Sequence, residues 1–185
     1  MTLTRLMRCC REVENNEELP YYKMKTHYES LLVHLLAAGQ QHYGSRLVSL
    51  AVFGSVGRGT PRPDSDIDLL VVAEELPHGR LRRAAEFRAV ETTLSPYLAE
   101  ARAAGLAPEL SPVFKTPAEV QRGSLLFLDM IEDARILSDR EGFLREALTL
   151  FKARLDRLGA RRIWRGNAWF WDLKPDYKRG EVFEV

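Results

Sequence analysis

The chain has 185 residues, 45% of them apolar and 29% charged, which suits one folded domain with a real core and excludes a disordered or collagen-like polymer. Its 27 Lys and Arg against 26 Asp and Glu leave a net charge of +1, so a globally basic nucleic-acid binder is not expected, although local patches stay open. The two cysteines, Cys9 and Cys10, are adjacent; they can neither staple a fold nor supply zinc spacing, and a reduced, cytoplasmic setting fits them best.

In chain order, residues 1–22 are mixed and polar and read as an N-terminal arm that lacks the apolar segment of a signal peptide. No apolar run approaches the roughly 20 residues of a bilayer helix, so no membrane association is expected. From Met24, apolar positions recur at Tyr28, Leu31, Leu32, Leu35 and Leu36, one stripe of an amphipathic helix that Gly39 or Gly44 can end. Leu47–Phe53 is a short β-rich run and reads as a buried strand. Gly54 to Pro63 is a turn region, and Asp66 to Val72 a second strand. A parallel pair would need a crossover of about a dozen residues or more, usually a helix, so these two strands are predicted antiparallel. A long helical stripe runs from Leu81 to Ala101, and Ala107–Phe114 reads as an irregular, edge-like strand because of Pro108 and Pro112. A helix over Pro117–Ile131, a strand over Ala134–Leu137 and a last helix ending at Leu158, with Gly159 as its C-terminal glycine, complete the pattern. The predicted class is α/β in the broad sense (α+β), a mixed sheet flanked by helices.

Residues 23–159 form the predicted domain, and 160–185 a tail. All three tryptophans, Trp164, Trp169 and Trp171, lie within eight residues of that tail, beside Arg161, Arg162 and Arg165. Such a cluster either packs back as a lid or forms a partner or acceptor surface. Stacking on single-stranded nucleic acid is a weaker third reading.

The chemistry concentrates between Gly54 and Asp68. Strand side chains alternate faces, so Asp66 and Asp68 point the same way while Ile67 and Leu69 point into the core. Paired carboxylates repel unless cations sit between them, and Mg²⁺ takes such oxygen ligands. Gly54 and Ser55 end a strand and open a turn whose backbone N–H groups can meet an anion. A phosphate cradle beside two acids describes a nucleoside triphosphate site. The Walker pattern fails for want of a Lys, and Gly54, Gly57 and Gly59 have the wrong order for the dinucleotide pattern.

Gly54-Ser55, ten residues, then Asp66-x-Asp68 resembles the nucleotidyltransferases of the DNA polymerase β superfamily, and more narrowly the minimal nucleotidyltransferases. The resemblance implies a two-metal Mg²⁺ site and transfer of a nucleoside monophosphate from an NTP, ATP first, to an acceptor. It also implies a third carboxylate on a later strand, for which Glu109 is the candidate as metal ligand or general base; Asp129, Glu132 and Asp133 are rivals on or beside a helix. Arg58 is a candidate phosphate contact, and Ser55 belongs to the family pattern. Minimal nucleotidyltransferases are often paired with a HEPN-domain protein, so an antitoxin or interaction module is the alternative to a free-standing enzyme. An antibiotic-modifying enzyme is disfavoured, since about 25 residues beyond the last helix are too few for a drug-binding helical domain. His27, His34, His42 and His78 have no metal spacing.

Overall fold

The stripe that begins at Met24 belongs to a longer helix, α1 (Glu18–Tyr43), in a computed structural model that describes residues 18–166 and 168–183. Most of the expected N-terminal arm therefore lies outside the described residues, and its last part is the start of α1. Gly39 does not end this helix: it lies mid-helix, where a Cβ would meet Leu50 at 3.5 Å. The end comes at Gly44, whose φ of +54° opens a short 3₁₀ turn into the first strand.

Strands β1 (Leu47–Phe53) and β2 (Ile67–Ala73) pair antiparallel, as the short connection requires. Helix α2 (Gly54–Gly57) is a single turn between them. After α3 (Arg80–Ala103), strand β3 (Leu110–Lys115) joins β2 in parallel. Strand β4 (Arg135–Asp139) joins β1 antiparallel, so the sheet is mixed, with order β3-β2-β1-β4. The third strand is shorter than its sequence suggests because Pro108 cannot donate to a ladder, whereas Pro112 is accommodated on an outer strand.

The two central strands are buried on both faces. Leu50, Val52, Ile67, Leu69 and Val71 pack under α1 and α3, against Leu31, Leu35, Phe87 and Leu94. The alternate residues Ala51, Phe53, Leu70 and Val72 pack against Phe127, Met130, Leu144, Phe151 and Leu155. Those partners come from α5 (Phe127–Asp133) and α6 (Phe143–Arg157). The single helix expected over Pro117–Ile131 is two, α4 (Pro117–Gln121) and α5, broken at Gly123 with φ +86°.

The tail is structured. Strands β5 (Arg161–Arg165) and β6 (Ala168–Asp172) form an antiparallel hairpin, with Gly166 at φ +60° after β5. Trp171 and Leu173 pack on the α5–α6 side of the core, while Trp164 and Phe170 stay 60% and 44% exposed. The tail thus has a packed part and an open part. Among the described residues no helix is long and apolar enough to cross a membrane.

Candidate active site

Strand alternation puts Asp68 on the same face of β2 as Leu70 and Val72, the face that α5 and α6 cover. Asp66 lies one step earlier on that face, at the open end of the sheet. Asp68 is half-buried and Asp66 exposed. Phe53 is the register partner of Asp68, so the turn that follows Phe53 starts beside the Asp68 carboxylate. Gly54 has φ +67°, and a Cβ there would lie 2.3 Å from Asp68 Oδ2. Glycine is required twice, by backbone conformation and by this close approach. A Cβ on Gly57 would meet the Asp133 carbonyl at 2.7 Å, so the end of α5 rests directly on α2.

The local charge is negative. Burial holds the Asp68 carboxyl above its ordinary range, and the charges of Asp66 and Asp129 add to this; a hydrogen bond from Ser111 and the charge of Arg58 oppose it. Burial likewise raises Asp129, with Arg162 pulling down, Asp133 pushing up and Arg58 pulling down. Two acids of β2 and one of α5 thus lie close together, with Arg58 and Arg162 as nearby cations. Among the described residues no three His, Cys, Asp or Glu side chains form a ready-made metal cage. The donor set instead fits an ion like Mg²⁺, which binds through one or two carboxylates and completes its shell with water and substrate phosphates.

The other expected residues fall as follows. The Ser55 hydroxyl donates to Ser65 Oγ at 2.9 Å, and Ser65 Oγ accepts the Arg62 N–H at 2.8 Å. Ser55 thereby fixes the connection between the turn and the aspartates. Arg58 follows α2, donates its N–H to the Gly54 carbonyl at 3.1 Å, and pairs with Asp133 at 3.0 Å. Glu109 is exposed, just before β3; its carbonyl accepts the Ile67 N–H at 2.8 Å, which sets it abreast of Asp66 rather than Asp68. The position opposite Asp68 on β3 belongs to Ser111.

Sequence reasoning missed the supports. Tyr28, counted only as part of an apolar stripe, donates its hydroxyl to the Ser65 carbonyl at 2.7 Å. Burial raises that phenol, helped by the charges of Asp64 and Asp66. Tyr21 donates to the Gly59 carbonyl at 2.7 Å. Arg162, from the tail, reaches Glu132 at 2.9 Å and Asp133 at 3.4 Å. No spacing rule could have found these contacts, which join residues far apart in sequence.

Residues 35–122 match the family model of the nucleotidyltransferase domain. A curated protein of Methanocaldococcus jannaschii, "Putative protein adenylyltransferase MJ1305", is 29% identical over 131 residues, covering 70% of this chain and 84% of that protein. Among solved structures, a chain from the crystal structure of a toxin-antitoxin with AMP-PNP aligns with a TM-score of 0.39 at 17% identity, over 68% of this chain and 90% of that one. A chain from the toxin-antitoxin MntA-HepT aligns with a TM-score of 0.37 at 13% identity, over 77% and 93%. Gly54, Ser55, Asp66 and Asp68 all fall inside the segment that matches the nucleotidyltransferase domain.

Proposed function

We propose that the protein transfers AMP from ATP to a hydroxyl group on an acceptor protein and releases pyrophosphate. The observation that carries this reading is the contact between the Gly54 backbone and the Asp68 carboxylate, which lets a triphosphate on the turn lie against the acidic pair. The name of the archaeal relative supports a protein acceptor. Asp66 and Asp68 would hold Mg²⁺, with Glu109 as the third carboxylate and Asp129 as its rival. The bound ions would neutralise charge on the phosphates.

The chain's own groups do the remainder. The α2 turn orients the triphosphate, and Arg58 pairs with one of its oxygens. A carboxylate, Glu109 in this reading, takes the acceptor's hydroxyl proton. The acceptor oxygen forms its bond to the α-phosphorus as the bond to the bridging oxygen breaks, and the electron pair leaves with pyrophosphate. Positioning and charge neutralisation supply most of the rate. The acceptor implied by the family resemblance is a HEPN-domain partner. The exposed Trp164 and Phe170 favour a partner surface on the hairpin.

The test is incubation of the pure protein and its candidate partner with each α-labelled NTP and Mg²⁺. Label should move to protein from α-labelled but not γ-labelled ATP, and chelation should stop it. Asp66→Asn and Asp68→Asn should each abolish transfer while leaving circular dichroism unchanged. Full transfer by either variant overturns the assignment.

A further inference from the structure

The family match ends at residue 122, yet a residue far beyond it reaches the nucleotide turn. Asp133 Oδ2 accepts from two guanidinium groups, Arg58 at 3.0 Å and Arg162 at 3.4 Å. Asp133 and Arg162 are each 11% exposed at the side chain, and Arg58 37%. The two arginines are held very differently. Arg162 also pairs with Glu132 at 2.9 Å and stacks on the rings of Trp169 and Trp164, 3.9 and 4.9 Å from their centroids. Arg58 has Asp133 as its ion-pair partner and sits on the turn itself, its backbone tied to Gly54.

We propose that Asp133 is the resting counter-ion of Arg58 and that Arg162, from the C-terminal hairpin, is a positioning residue that weakens this hold so that Arg58 can pass to the incoming triphosphate. The inference rests on the reading of Arg58 as a phosphate contact. One carboxylate shared by two cations holds each less firmly than it would hold one alone. A triphosphate on the α2 turn competes with Asp133 for Arg58, offering more charge and more oxygens. When Arg58 leaves, Asp133 is not stranded, because Arg162 remains on it. Without Arg162 the same departure would leave a buried carboxylate unpaired, and Arg58 would stay.

This logic gives the two partners effects of opposite sign. Asp133→Asn frees Arg58 and should tighten Mg-ATP binding; Arg162→Gln leaves Asp133 to Arg58 alone and should weaken it, each by about three- to tenfold. The double variant should match Asp133→Asn, since Arg162 has nothing left to neutralise there. Arg162→Lys should recover part of the loss. The changes should appear in the KM for ATP, with kcat held within about twofold. The experiment is titration calorimetry with Mg-ATP and steady-state transfer on the full-length variants, beside a thermal melt of each. Weakening by both single variants, additive in the double, would make the cluster an ordinary structural tie and overturn the proposal, as would unchanged affinity in both. If Arg162→Gln does not fold, Asp133→Asn decides alone: tighter binding supports the proposal, and equal or weaker binding overturns it. Failure of the unaltered protein to bind any of the four NTPs would instead overturn the functional reading beneath it.

Discussion

Gly54 joins conformation to chemistry at a single atom. Its positive φ and the 2.3 Å that a Cβ would leave to Asp68 Oδ2 mean that any side chain both strains the turn and pushes the acid away. Gly54→Ala is expected to cost about 1–3 kcal/mol of stability and to abolish transfer, measured by thermal melt and the labelled-ATP assay. Asp68→Asn should differ in kind. Its carboxyl is raised above the ordinary 3.8 in the folded protein, so ionising it costs native stability. That cost is absent below 3.8 and grows as pH rises toward the raised value. At neutral pH the Asn variant should therefore melt no lower than the parent while losing transfer. A clear drop in its melting temperature would mean that Asp68 serves the fold and not the substrate.

At the scale of elements, the start of α4 is the clearest electrostatic device outside the site. Thr116 and Glu119 form a reciprocal capping box, and Glu119 also takes both terminal nitrogens of Arg83, at 2.7 and 3.0 Å. Arg83 ties this cap to α3 and to the Phe114 carbonyl of β3. The Arg83 hydrogen bond is the main cause that lowers the Glu119 carboxyl to about 2. A depressed carboxylate contributes stability that is present above its unfolded value, 4.5, and fades as pH falls toward about 2. Glu119→Gln should destabilise by about 2 kcal/mol at pH 7, the difference from the parent shrinking steadily between pH 4.5 and 2 in denaturant titrations. A gap that stays constant across that range would refute the ion-pair account.

The elements that sequence reading found are those whose evidence is local. Strands β1 and β2 announce themselves by apolar runs bounded by glycine and proline, and their short connection dictates antiparallel pairing. The same locality made Gly54, Asp66 and Asp68 legible. Gly123, which splits α4 from α5, passed unnoticed inside a helical count. The β5–β6 hairpin was missed because Arg, Trp and Phe alternate there in place of the usual β-branched residues, with a guanidinium stacked on indoles as part of its support. Asp129, Asp133, Ser111 and Tyr28 come to the site only through the packing of layers, which no spacing within the chain encodes.

For the molecule as a whole, the hairpin closes the α5–α6 side of the core. Truncation after Leu158 removes Ala160, Trp171 and Leu173 from that cluster. Burial of a large apolar side chain contributes about 1.5–3 kcal/mol, so the melting temperature should fall by about 5–10 °C. The shortened protein should also bind Mg-ATP more weakly than the full chain, since Arg162 leaves with the hairpin. An unchanged melt would make the tail a separate appendage.

The register of the sheet also orders events in time. Phe53 and Asp68 meet by closing a loop of about 15 residues, whereas β1 must wait for β4 from about 80 residues further along the chain. The loop that carries Gly54, Asp66 and Asp68 is thus cheaper to close than the β1–β4 pairing, and the glycine turn and its two acids come together with the first hairpin of the sheet. The arginine that shares Asp133 comes about 100 residues after the glycine turn. Arg162 reaches Asp133 only once the β5–β6 hairpin has docked beside α5, so that contact closes a much longer loop than the Phe53–Asp68 pairing does.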